Sequence, residues 1–416
     1  MSVNKISRRF SSSQSFKLVI CGGGTGGITM AHKLASKVGS DIAIIEPKDK
    51  HFYQPYFTLV GAGIKKYENS YRDIGKYIPS GVAHISDEIS SIVPDKNHIL
   101  LKSDKRINYD ILIIALGCQT NYHQVEGLIE ALQDHKNVCS NYSPLYVRKT
   151  SHCIENFKGG KALFTHPNTS IKCGGASQKI MYLAEDIWRR NNKRDLADIH
   201  FVTAGNAIFG VPRYTEVLQK IASERGINVT PKHNLKRVIG DKNIAVFDKT
   251  GDEPKEVEME YSLLHVTPPM SAPNVIRENE QLCDASGYLN VNTETLQHAK
   301  YQNIFGIGDC LNILPSKTAA AIAGQCGILR RNVNSYLKGK ELVAKYDGYT
   351  SCPLVTGKNK GILAEFDKNG VPLETFPFPS QIKEKWSKYR QETAKTWLLK
   401  QKQKASFAFV YDKISY

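Results

Sequence analysis

An α/β fold with two parallel-sheet domains, the first interrupted by the second, is predicted by three observations. An apolar run of strand length, FKLVIC (16–21), leads through the glycine turn GGGTGG into an amphipathic segment and a second strand, DIAIIE (41–46). Far along the chain, NIFGIGDC (303–310) supplies another apolar strand that ends in glycine and aspartate. Between them KALFTHP (161–167), DIHFVTA (198–204) and YSLLHVT (261–267) repeat the strand pattern, with room for crossover helices.

The chain of 416 residues is 41% hydrophobic, enough for a large core. At about 100–200 residues per domain it holds two or three domains. The 56 basic against 40 acidic residues give a net charge of +16, which suits an anionic partner. The basic residues are spread along the chain and no nucleic-acid module is visible, so no nucleic acid is expected. Nine scattered cysteines include no CxxC pair and no zinc-type spacing, so neither a disulfide framework nor a metal site is expected.

Residues 1–15 read as a mitochondrial transit peptide. The stretch up to Lys17 carries Lys5, Arg8, Arg9 and Lys17 with six serines, and the first acid is Asp41. No apolar run approaches the ~18 residues that a spanning helix needs.

Residues 16–117 form the first part of a dinucleotide-binding domain. Gly22, Gly24 and Gly27 hold the three places of GxGxxG, which allow a tight turn, close approach of backbone to a pyrophosphate, and close helix packing. Glu46, at the end of the second strand, stands where a carboxylate accepts hydrogen bonds from an adenosine ribose. YDILIIALG (109–117) and NIFGIGDC resemble the middle and last motifs of flavoproteins with two dinucleotide-binding domains, which implies FAD. The second part, 296–345, then brings Gly308 and Asp309 to the ribityl chain, and a helix from about Thr318 points its positive end at the flavin.

Residues 118–295 read as a second Rossmann-like domain without its nucleotide turn. After KALFTHP comes NTSIKCGGASQK, with no GxGxxG to approach a pyrophosphate, which disfavours NADH as electron donor. Cys173 stands in its place, read as lying where a helix begins, with Lys172 before it and Lys179 after it. Both features favour the thiolate, the form that attacks a disulfide or a flavin ring. Cys352, in DGYTSCPLVTG, is the candidate partner thiol.

The segments IKCGGASQKIMYLAE, HVTPPM, GIGDC with SKTAAA, and YTSCPLVTG resemble the mitochondrial sulfide:quinone oxidoreductases from about residue 16 to 380. That resemblance implies oxidation of hydrogen sulfide through a disulfide and persulfide, with electrons passing by FAD to a membrane quinone. It implies Cys173 as the flavin-side thiol and Cys352 as the sulfide-attacked one, whose sulfur leaves on a small acceptor such as glutathione or sulfite. The resting bridge of the family can hold an extra sulfur atom. Cofactor contacts are implied at Gly24, Thr25, Glu46, Gln54, the backbone of Ile89, Lys179, Asp309, and Lys317, Thr318, Ala319 and Ala320. Cys139 stands where bacterial relatives often carry a third cysteine; it and Cys118 have no assigned role.

Residues 346–416 hold Cys352 and a basic, aromatic tail. The segment 383–404 carries eight basic residues among Trp386, Tyr389, Trp397, Leu398 and Leu399. This pattern suits an interfacial helix on the anionic lipid of the inner mitochondrial membrane. Phe376 and Phe378 are candidates for a quinone entry. Two alternatives stand beside this reading: a type II NADH:quinone oxidoreductase, and a basic mitochondrial flavoprotein with a binding role.

Overall fold

The computed structural model describes residues 13–251, 254–313 and 317–375. The segment 383–404, Phe376, Phe378 and the first twelve residues of the leader lie outside them. The chain opens on β1 (Ser13–Cys21), passes the glycine turn into α1 (Thr25–Val38), and returns as β2 (Ile42–Ile45) parallel to β1. Ser13 to Ser15, assigned to the leader by sequence, instead lengthen β1, because they pair with Arg106 to Asn108. β2 and the inner half of β1 are buried on both faces, which is why they read as unbroken apolar runs.

β3 (Ala83–Ile85) adds to the far side of β2, and β4 (Ile89–Val93) and β5 (His98–Leu101) run antiparallel into β6 (Arg106–Ile114). β6 lies parallel to β1, so the order across this sheet is β3-β2-β1-β6-β5-β4.

The second unit has its own parallel sheet. Its elements are β7 (Val138–Cys139), α2 (Val147–Glu155), β8 (Gly160–His166), α3 (Ala176–Arg190), β9 (Ala197–Thr203), β10 (Ile227–Thr230) and β11 (Leu263–His265). The strands stand in the order β7-β11-β8-β9-β10. Met270–Ser271 on the way out pairs with Gln119–Thr120 on the way in, so the two connections lie side by side. From Ala272 the chain packs back into the first core through Ile276, Leu282, Leu289 and Leu296. The second unit therefore closes near Met270 and not at 295, since apolar side chains after that point face the first sheet.

β12 (Ile304–Gly306) completes the first sheet beside β6, and α4 (Ala319–Leu337) packs on α1. A hairpin, β13 (Thr350–Gly357) and β14 (Lys360–Phe366), then crosses to the second unit. Its inward residues Cys352, Leu354, Ile362, Ala364 and Phe366 join the core that α3 builds. This crossing carries Cys352 to the start of α3. Among the described residues no helix is long and apolar enough to cross a membrane, and no group of three or more side chains is arranged to hold a metal ion.

Candidate active site

The glycine turn is shaped by contact. Gly22 has φ +103, and a β-carbon there would stand 2.6 Å from the Ala115 carbonyl oxygen. A β-carbon on Gly27 would stand 1.8 Å from the Gly22 carbonyl oxygen, so both positions require glycine for the protein's own packing. Gly24 differs: nothing lies within 4 Å of its would-be β-carbon, and it borders the cavity at the N-terminus of α1. Glu46 accepts the Gly23 N–H at 2.8 Å through one carboxylate oxygen and the Lys48 N–H at 3.0 Å through the other. It braces the turn directly.

A cavity of about 420 Å³ runs from this turn to the second unit. Of the residues singled out by sequence, Gly24, Thr25, Gln54, Cys173, Lys179, Gly308, Asp309, Lys317, Thr318, Ala319 and Ala320 line it. Gly22, Gly27 and Glu46 frame the turn from behind. Ile89, on the edge strand β4, is not among the residues that line the cavity. Lys172, Ser351 and Pro353, which flank the two cysteines in the quoted segments, also line it, as do Asn141 and Tyr142, which no motif singled out.

These walls fit FAD. Asp309 keeps Oδ1 buried without a hydrogen-bond partner, an arrangement that costs ~1–3 kcal/mol unless a ligand hydroxyl supplies the donor. Burial pushes its carboxyl up, against the pull of the Lys317 and Lys172 ammoniums. Lys317 is itself buried, its Nζ donating to the carbonyls of Asp309 (2.7 Å) and Leu311 (3.0 Å) and lying 3.7 Å from the Tyr288 ring centroid. Burial lowers its pKa. Thr318 caps α4 by accepting the Ala321 N–H at 3.0 Å, and its hydroxyl shares a 2.7 Å hydrogen bond with Thr350 on β13. One residue thus fixes both the helix start and the strand that carries Cys352.

Cys173 lines the cavity, and Cys352, which does not, is buried against it. Cys173 Sγ and Cys352 Sγ are 3.3 Å apart, and Lys179 Nζ donates to Cys173 Sγ at 3.2 Å. Cys173 does not begin a helix. α3 starts at Ala176, whose N–H donates to the Cys173 carbonyl, and Cys173 itself is in the left-handed region at φ 57. That conformation is uncommon for a residue with a β-carbon. Its N–H is held by the Lys317 carbonyl at 2.7 Å, so the second part of the first domain positions the thiol.

The Cys352 hydrogen bond lowers the Cys173 pKa most, with help from the Lys179 ammonium and the Gly175 N–H, against burial. The same bond, with burial, raises Cys352 well above the ordinary thiol range. Burial pulls the Lys179 ammonium down, but charge on Cys173 and Cys352 outweighs it and holds Lys179 protonated. Both shifts run the same way, favouring the thiolate at Cys173 and the thiol at Cys352.

At the end of β8, where a nicotinamide dinucleotide would need glycines, His166 Nδ1 meets Ser177 Oγ at 3.0 Å instead. Side chains fill that place. Cys118 directs its thiol to Asp309 Oδ2 at 3.9 Å, and burial pushes its pKa up to about 12.

The Pyridine nucleotide-disulphide oxidoreductase family model matches residues 16–158. The mitochondrial sulfide:quinone oxidoreductase of Mus musculus is 50% identical over 376 residues, covering 90% of this chain and 83% of that protein. Its counterpart in Dictyostelium discoideum is 43% identical over 373 residues, covering 89% and 81%. The structure of the sulfide:quinone oxidoreductase from Aquifex aeolicus has the same fold, with a TM-score of 0.70 at 19% identity over 84% of this chain and 83% of that one. At half the residues shared along nearly its whole length, the chain belongs to the mitochondrial sulfide:quinone oxidoreductase family.

Proposed function

We propose that this chain is a mitochondrial, FAD-dependent enzyme that oxidises hydrogen sulfide and passes the electrons to a membrane quinone. The contact of Cys173 and Cys352 beside the Lys179 ammonium carries the reading. In the oxidised enzyme the two cysteines are a disulfide. Hydrosulfide attacks it at Cys352, forming a persulfide there and breaking the bridge, so that the electron pair leaves on Cys173 as thiolate. Lys179 stabilises that thiolate, and the Cys173 N–H bond to Lys317 keeps it on the cavity wall. When bound, FAD supplies the two-electron sink and the route to quinone. A small nucleophile such as glutathione or sulfite then takes the outer sulfur from Cys352, and the bridge re-forms.

The cofactor would be held by the open Gly24 turn, by the unpartnered Asp309 oxygen and by the positive end of α4. The basic, aromatic composition of 383–404 supports association with the anionic lipid of the inner membrane. The test is anaerobic addition of sulfide or NADH to the purified yellow protein. Bleaching of the flavin bands by sulfide and not by NADH is expected; the reverse pattern would overturn the reading.

A further inference from the structure

Among the described residues three lysines line the cavity: Lys172, Lys179 and Lys317. Two of them are engaged. Lys179 Nζ donates to Cys173 Sγ, and Lys317 Nζ donates to the carbonyls of Asp309 and Leu311. Lys172 comes just before Cys173 in the chain, yet among the described residues its ammonium makes no hydrogen bond or ion pair, neither with a sulfur nor with Asp309. Its backbone is fixed from both sides. The Lys172 N–H meets Met270 Sδ at 3.3 Å, Ile171 before it is buried with Met270, Tyr142 and Ala176, and the Cys173 N–H after it is held by the Lys317 carbonyl.

That carbonyl stands one residue before Thr318, the cap of α4, so the backbone at 172 lies against the positive end of that helix, where Cys173 stands. Burial lowers the Lys172 pKa, opposed by Cys118 and Asp309. An ammonium in such a wall is costly unless an anion meets it, and the described residues bring none to bonding distance. The reaction itself supplies one. On the function proposed above, the Cys173 thiolate and the Cys352 thiol give up two electrons and one proton as the bridge re-forms. When the bound flavin receives them, the negative charge that stood on the Cys173 sulfur comes to stand on the flavin pyrimidine, and the electron pair later leaves for quinone. Lys179 is bonded to the charge in its first place.

We propose that Lys172 is a further residue of the reaction, the cation that meets the negative charge of the reduced flavin. Lys179 holds that charge on sulfur and Lys172 holds it on the ring, with the positive end of α4 acting in the same sense. The pyrophosphate, the other anionic part of the cofactor, belongs at the open Gly24 turn and the N-terminus of α1. Because its partner appears only on reduction, Lys172 strengthens binding of the reduced cofactor over the oxidised one and raises the midpoint potential of the flavin.

The test compares the whole purified holoprotein with its Lys172→Met and Lys172→Arg variants, each reduced slowly by xanthine and xanthine oxidase without air against a reference dye. Binding of oxidised FAD is measured separately by ultrafiltration. In the methionine variant oxidised FAD should bind within about threefold of the parent and reduced FAD about tenfold more weakly, a fall in midpoint potential of about 30 mV for the two-electron couple. Lys172→Arg keeps the charge and should restore most of that fall. If the methionine variant does not fold, Lys172→Gln makes the same comparison. An unchanged potential in the uncharged variant would overturn the proposal. So would equal weakening of both oxidation states, which would put the ammonium on the pyrophosphate, or an arginine variant as low in potential as the uncharged one. No sulfide enters the measurement, so failure here is separate from failure of sulfide to bleach the flavin.

Discussion

Gly175 and Cys352 are packed so closely that no β-carbon fits between them: one built on Gly175 would stand 2.7 Å from Cys352 Sγ and 2.3 Å from Leu354 Cδ2. Gly175→Ala must therefore displace the Cys352 sulfur and the tip of Leu354, which parts the two sulfurs. A misplacement of about 1 Å at reacting atoms can cost ~100-fold, so sulfide-dependent flavin reduction should fall by roughly tenfold or more with the flavin retained. Gly174→Ala is the control, since nothing lies within 4 Å of its would-be β-carbon. Stopped-flow reduction of the two variants should separate them; equal rates would mean that the close approach of the sulfurs does not limit the chemistry.

Lys179→Met should change the pH dependence rather than only the rate. Reduction needs Cys173 as thiolate, so the rate falls as pH drops through the Cys173 pKa. That pKa is lowered by the Cys352 hydrogen bond and then by Lys179, which keeps the parent active below the ordinary thiol range of about 8.5. Removing the ammonium raises it, and the acid limb moves to higher pH. The variant should lose most at pH 6 and recover toward pH 9, at roughly tenfold per unit along the limb. A uniform loss at every pH would assign Lys179 to another task.

The glycine turn separates packing from ligand binding. Gly27→Ala drives a β-carbon to 1.8 Å from the Gly22 carbonyl oxygen and should yield little folded protein. Gly24→Val meets no protein atom at its β-carbon but enters the cavity, so it should give folded, colourless protein. Circular dichroism and the visible spectrum read the two losses independently. A yellow Gly24→Val protein would remove this turn from the cofactor site.

What the sequence made legible was local. The turn from Gly22 to Gly27 and the acid Glu46 announce themselves because a strand, a tight turn and a helix leave a short, ordered signature. Lys179 was legible because it follows Cys173 closely in the chain. The meeting of Cys173 with Cys352 was not readable from spacing, since it depends on a hairpin that leaves one unit to pack on the other; family resemblance implied it. Gly175, Thr350 and Asn141 carried no signal for the same reason: their importance lies in what touches them. The place of Cys173 was misread as a helix start because glycines after it mask where the helical bonds begin, at Ala176.

Thr318 links the two parts that hold the sulfurs. Thr318→Val removes the cap on α4 and the hydrogen bond to Thr350, which should lower stability by about 1–2 kcal/mol. Thr318→Ser keeps both hydroxyl bonds and should restore most of it. Thermal unfolding of the holoenzyme measures the difference, and an unchanged midpoint in the valine variant would show that the cap and the clamp do not support the fold.

The most direct measurement of the central claim, that Cys173 faces the cofactor and Cys352 receives the sulfide, is the visible spectrum of Cys352→Ser beside that of Cys173→Ser. Both should retain FAD and lose most sulfide-dependent turnover, because neither can form the bridge. Cys352→Ser should keep a thiolate at the cavity wall and show a broad long-wavelength charge-transfer band, whereas Cys173→Ser should show none. Near-normal turnover in either variant, or the band in Cys173→Ser and not in Cys352→Ser, would contradict the account.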